Sequence, residues 1–177
     1  MFKKILIGLV IIIVAILGFA TTKPDTFSVS RSIKVNARAD AVHGLINDFN
    51  QWPTWSPWEK LDPDMKRTFS GAANGPGAVY EWQGNSKVGK GRMEILQSTP
   101  QQIRIKLDFI EPIEGNDLTV FDLNETNGAT QVNWTMSGPN TFLSKVMQVF
   151  MSMDNIIGKD FESGLNNLKA RAEAQSH

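Results

Sequence analysis

The stretch with the strongest chemical spacing is GNSKVGKG, residues 84–91, which matches the first seven positions of a phosphate-binding loop, G-x-x-x-x-G-K-[ST]. It fails at the eighth. Gly91 stands where a Ser or Thr would hold magnesium, and the following RMEIL reads as a strand rather than the start of a helix, so nucleotide chemistry is set aside. The chain has two histidines and no cysteine. His177 is the last residue and His43 stands alone in the first amphipathic segment, so neither a metal cluster nor a Ser-His-Asp triad can be assembled. Glu81, Glu94, Asp108 and Asp122 occupy strand positions opposite apolar neighbours and are expected to face solvent. Arg31, Arg92 and Arg104 could hold an anionic head group, although exposed positions on an antiparallel sheet explain them equally. Lys+Arg and Asp+Glu each number 18. Without Lys3, Lys4 and Lys23 the remainder carries 15 basic and 18 acidic residues, a balance that excludes the basic stripe of a nucleic-acid binder.

What remains is aromatic surface. Trp52, Trp55 and Trp58, three of five tryptophans, are interleaved with Pro53 and Pro57. The prolines exclude an amphipathic α-helix, which leaves a connection with large rings that must cover something. Trp52 is expected beneath the first helix, with Trp55 and Trp58 at the entrance of a pocket.

The elements that would position these groups follow from periodicity. After Met1-Phe2-Lys3-Lys4, sixteen uncharged residues run from Ile5 to Ala20. As a helix they rise roughly 24 Å, close to the thickness of a hydrocarbon core, and Phe2 and Thr21-Thr22 can extend them. The run exceeds an ordinary signal-peptide core, which favours an uncleaved anchor over residues 1–22; a cleaved signal ending at Gly18-Phe19-Ala20 is the competing reading. Either way the paired lysines hold the N-terminus in the cytoplasm and send the rest across the membrane. Residues 23–25 form a tether and residues 26–174 one domain.

Within that domain TFSVSRSIKV alternates as a strand, with Arg31 intruding on the apolar face as a rim residue or a functional one. ARADAVHGLINDF sets Val42, Leu45, Ile46 and Phe49 at helical spacing. Six alternating stretches divided by turn residues follow, from Met65 to about Ser137. Asn85-Ser86 is expected as a two-residue hairpin loop, which would lay Trp82 over Gly89 and Tyr80 over Gly91. TFLSKVMQVFMSM is apolar nearly all round and reads as a separate buried or lid-like turn of helix. From Asp154, Ile157, Phe161, Leu165 and Leu168 recur on one face of a long helix, with Gly158 and Gly164 inside it for close approach to the sheet. One long helix against one curved antiparallel sheet leaves a pocket between them.

Taken with WPTWSPWEKLDPDM, YEWQGNSKVGKGRMEI, TQVNWTM and MDNIIGKDFESGLNNLKA, this order of elements resembles the START-like (SRPBCC) superfamily, in its polyketide cyclase/dehydrase and lipid-transport branch, over residues 26 to 172. The resemblance implies an α+β helix-grip fold, a curved antiparallel sheet wrapped around a long C-terminal helix, here preceded by one transmembrane helix. It implies a cavity for hydrophobic or amphipathic small molecules, lipid-like or aromatic, and no cofactor. One departure is Ala37-Arg38, where an Ala-Pro pair often opens the first helix. The family's enzymes share no catalytic set, so no catalytic residue is carried over. The residues expected around the pocket are Trp55, Trp58, Phe69, Tyr80, Trp82, Met93, Phe109, Phe121, Trp134, Phe161 and Leu165, each equally explicable as core packing. A cyclase or dehydratase acting on a polyketide-like substrate is the alternative, and two convergent ionisable side chains deep in the pocket would distinguish it.

Overall fold

The computed structural model describes residues 2–175; Met1, Ser176 and His177 lie outside them. The apolar run forms α1 (Phe2–Ala20), 19 residues with nearly all side chains exposed except Ala20, long and apolar enough to cross a membrane. A short link leads to β1 (Thr26–Val35) and α2 (Ala39–Asn47). Two 3-10 turns, Phe49–Thr54 and Pro57–Lys60, carry the chain into six strands: β2 (Lys66–Gly71), β3 (Ala78–Gln83), β4 (Lys90–Thr99), β5 (Gln102–Glu111), β6 (Gly115–Thr126) and β7 (Ala129–Pro139). Two helices follow, α3 (Phe142–Met147) and α4 (Met153–Gln175).

The strands form one antiparallel sheet in the order β1-β7-β6-β5-β4-β3-β2. Each of β2 to β6 is joined to the next strand by a hairpin, and β1 closes onto β7, with Arg31 opposite Trp134. Register shifts between β4 and β5, at Lys90/Gly91 and Ile95/Gln97, bend the sheet by the ordinary action of a bulge. The alternation of the strands puts Ile95, Ile105, Phe121 and Val132 on the concave face, where all are buried. α4 lies across that face and buries Phe161, Leu165 and Leu168 together with Gly158 and Gly164.

Those two glycines have separate tasks. A Cβ at Gly158 would come within 2.2 Å of Arg31 Nη2, and one at Gly164 within 2.9 Å of the Trp134 ring. Arg31 is thus not a rim residue. It ties β1 to α4 through Asp154 and Glu162, each at 2.7 Å.

Two other expectations are corrected. The hairpin between β3 and β4 has a four-residue loop, because Gly84 N–H donates to Gly89 O and Asn85 O accepts from Val88 and Gly89. Asp62 Oδ2 fixes this turn by accepting from Asn85 N at 2.6 Å. The register moves by two residues, so Trp82 faces Gly91 and Tyr80 faces Met93; parity survives, and the indole still covers bare glycine backbone. α3 is not buried: Phe142, Leu143 and Met147 all point to the outside.

Candidate ligand-binding site

The tryptophan loop is built by its prolines. With about three residues per turn, a 3-10 segment sets Trp52 and Trp55 on one side. Their indole N–H groups then donate to Ile46 O and Leu45 O, both at 3.0 Å, and satisfy carbonyls that the end of α2 leaves free. Pro57 opens the next turn and directs Trp58 and Glu59 toward the sheet.

Between this loop, the concave face and the start of α4 lies a cavity of about 200 Å³. β3 contributes Tyr80 and Trp82, β4 contributes Met93, and β5 contributes Leu107 and Phe109. Trp134 and Met136 come from β7, Phe161 and Ile157 from α4, and Trp52, Trp58 and Glu59 from the loop. Trp134 is stacked on Phe161 with ring centres 4.1 Å apart, and Trp58 meets both rings edge-on.

Seven of the eleven residues expected around the pocket therefore stand on this wall: Trp58, Tyr80, Trp82, Met93, Phe109, Trp134 and Phe161. Four stand elsewhere. Trp55 is 1% exposed and enclosed by Trp52, Phe121 and Trp134, because its bond to Leu45 O pulls it beneath α2. Trp52, expected beneath the first helix, is bonded to Ile46 O there and also lines the cavity. Phe121 is covered by Trp134, stacked at 4.9 Å, and Leu165 is one turn farther along α4 in the core. Phe69, on the edge strand, stacks on the outer side of Tyr80 at 5.0 Å.

The sequence reading missed Glu59. Its side chain is 5% exposed. Tyr80 Oη donates to Glu59 Oε1 at 2.6 Å, and Arg67 Nε donates to Glu59 Oε2 at 2.7 Å. Arg67 Nη2 also donates to the Glu59 carbonyl. Burial, reinforced by the Glu59 carboxylate, holds the Tyr80 phenol far above its usual range, and the same carboxylate raises Arg67. The cluster is a charge-neutral pair with a hydroxyl fastened to it, set in an aromatic wall. Trp134 adds an indole N–H that is buried without a hydrogen-bond partner. Among the described residues no His, Asp and Glu converge as metal ligands.

The sequence that builds this sheet and helix matches one family over residues 26–173, "Polyketide cyclase / dehydrase and lipid transport". The chain belongs to that family. No curated protein matches it in sequence. Among solved structures it is similar to the Zhui aromatase/cyclase from Streptomyces sp. R1128, with a TM-score of 0.61 and 14% identity over 86% of this chain and 96% of the other. It is also similar to the Aha1 dimer from Colwellia psychrerythraea, with a TM-score of 0.60 and 14% identity over 85% and 99%. The di-domain ARO/CYC StfQ of the steffimycin biosynthetic pathway gives a TM-score of 0.64 and 10% identity over 85% of this chain and 51% of that one. At such identities the likeness is one of fold, a helix-grip sheet of the SRPBCC type.

Proposed function

We propose that the protein is a membrane-tethered binding domain that takes a hydrophobic or amphipathic small molecule, lipid-like or aromatic, into the cavity between the sheet and α4. Residues 1–22 serve as the anchor, with Lys3 and Lys4 on the cytoplasmic side, and residues 26–174 form the binding domain beyond the membrane. The observation that carries this reading is the wall itself: aromatic and methionine side chains around a fixed polar cluster. Sites of this composition hold an apolar body and orient it by a few polar contacts.

Size narrows the ligand class. An apolar cavity of roughly 150 Å³ accepts benzene. About 200 Å³ suits one substituted ring or a short acyl segment, the rest of a longer molecule reaching out through the mouth.

A second reading, a cyclase or dehydratase, draws support from Glu59 and Tyr80, two ionisable groups on one wall. Yet each Glu59 oxygen already accepts from a donor, and the phenol is pushed away from the pH at which it would exchange protons. That arrangement suits anchoring better than proton transfer. The test is native mass spectrometry of the full chain released from lipid nanodiscs, with fatty acids and aromatic probes added. A bound species is expected, together with weakened uptake of hydroxylated probes in Glu59→Gln. A protein that emerges empty and stays empty would overturn the binding role.

A further inference from the structure

Most of the large exposed apolar side chains outside α1 are gathered at one end of the domain; Leu61, Phe69 and Leu96 stand apart from them. Phe142 and Leu143 lie on α3, Phe150 and Met151 in the link to α4, and Ile110 and Ile113 at the turn from β5 to β6. The strand register places them together: Thr26 pairs with Pro139, Leu118 with Ser137, Phe109 with Gly115 and Lys90 with Glu111. The start of β1, the end of β7, the β5–β6 turn and the start of β4 thus share one sheet end.

Two further features meet there. The side of the cavity lined by Trp82, Val88, Phe109 and Ile157 lies toward this end, since Trp82 pairs with Gly91 and Gly91 with Phe109. α1 also arrives here, since only residues 21–25 separate it from β1. That link is fastened. Asn140 Nδ2 donates to Pro24 O at 2.9 Å, Asn140 N–H donates to Asp25 O at 2.7 Å, and Lys145 pairs with Asp25. α1 packs against α3, and Ala20 is fully buried at the junction. Five residues could span at most about 17 Å even if released, so this end stays near the level at which α1 leaves the hydrocarbon.

We propose that the apolar end rests in the interface of the bilayer that α1 spans, so that the cavity mouth opens onto lipid and the ligand enters from the membrane. The inference depends on the membrane-tether reading above. Exposed apolar area of this kind needs a cover. A bilayer is the occupant because the pinned helix brings it to the patch; aromatic and long aliphatic side chains are the ones that sink into the zone between head groups and acyl chains.

The chain has no cysteine, so single substitutions each carry one environment-sensitive dye. The full chain is reconstituted in phosphatidylcholine vesicles as Phe150→Cys, Leu143→Cys, Leu96→Cys and Ile11→Cys. Phe150 and Leu143 are more than half exposed, so their replacement spares the core; Leu96 is exposed near the opposite end of β4. A lipid spin-labelled near its head group should quench the dyes at 150 and 143 at least ~3-fold more than the dye at 96, with little dependence on salt. Equal quenching at 150, 143 and 96, while position 11 is quenched by lipid labelled along the acyl chain, would overturn the docking and leave the tether standing. Absence of quenching at position 11 would overturn the tether, and the docking with it. Dyes at 150 and 143 shielded from aqueous iodide but untouched by lipid quencher would mean that protein covers the patch, against the proposal.

Discussion

Asp117 offers the sharpest test of the packing around the concave face. It lies on β6, 9% exposed, between Leu107 and the bare backbone of Gly138, where a Cβ would come within 1.8 Å of Oδ1. Burial, with the Asp108 charge adding to it, pushes its carboxyl from an ordinary 3.8 up to about 6. Between those values the folded chain holds a proton that the unfolded chain has released, so this group's contribution to stability falls as pH rises from about 4 to about 6. One pH unit corresponds to about 1.4 kcal/mol, which makes the whole effect about 3 kcal/mol. Asp117→Asn removes the titration and keeps the shape. The variant should match the parent near pH 4 and exceed it by up to about 3 kcal/mol at pH 7. Urea unfolding followed by tryptophan emission, on the full chain in mild detergent from pH 4 to 7.5, gives the difference curve. That difference is needed because His43, lowered by burial, acts in the opposite sense: its unfolded form takes up a proton in the ordinary imidazole range while the folded form does not, which destabilises the fold as pH falls. Asp25, Asp154 and Glu173 are all lowered, by Lys145, by Arg31 and by the Asn36 backbone N–H respectively, and lose stability only below the usual carboxylate range. A difference curve flat from pH 4 to 7 would refute the account of Asp117.

The two loop tryptophans should separate cleanly. Trp55→Ala, in the core, is expected to cost about 3–5 kcal/mol in urea unfolding. Trp58→Ala, half-buried on the cavity wall, should cost less and weaken probe uptake more; a reversed order would show that the wall and core assignments are exchanged. Gly91→Ala would drive a Cβ to 2.3 Å from the Trp82 ring and 2.7 Å from the Asp108 carbonyl. Overpacking of this sort costs about 1–3 kcal/mol and should displace the indole from the wall, read as a changed tryptophan emission and reduced uptake. An unchanged spectrum and midpoint would count against close packing of Trp82 on Gly91.

The order of elements along the chain and the helix faces were legible because both rest on local periods. Phe27, Val29, Ile33 and Val35 alternate, Phe161, Leu165 and Leu168 repeat at helical spacing, and Gly-rich turns divide the rest. Arg31 shows where this stops. Its parity puts it on the apolar face, but only the fold reveals that Gly158 leaves room for its guanidinium between Asp154 and Glu162. The hairpin error has the same origin, since Asp62, 23 residues upstream of Asn85, anchors the turn and lengthens the loop. Trp55 was misplaced because the choice between wall and core depended on a bond from its indole to Leu45 O, which periodicity does not encode.

Glu59 was harder to see, yet one clue to it was present. It is one of 18 acidic residues, in a turn without periodicity, and its partners Arg67 and Tyr80 are 8 and 21 residues away. Tyr80, however, is the chain's one tyrosine, placed by alternation on the buried face of β3. A buried phenol needs an acceptor, and the strands around it present Met93, Leu107 and Phe109 on that face, none of which can accept well. The acceptor had to come either from farther across the sheet, where β6 presents Asp117 and Thr119, or from the loop that crosses it. In that loop Glu59 follows Trp58 and precedes Arg67, the cation a buried carboxylate requires. The hydroxyl of a single tyrosine thus points to the polar cluster of the cavity, although distance and angle were needed to complete it.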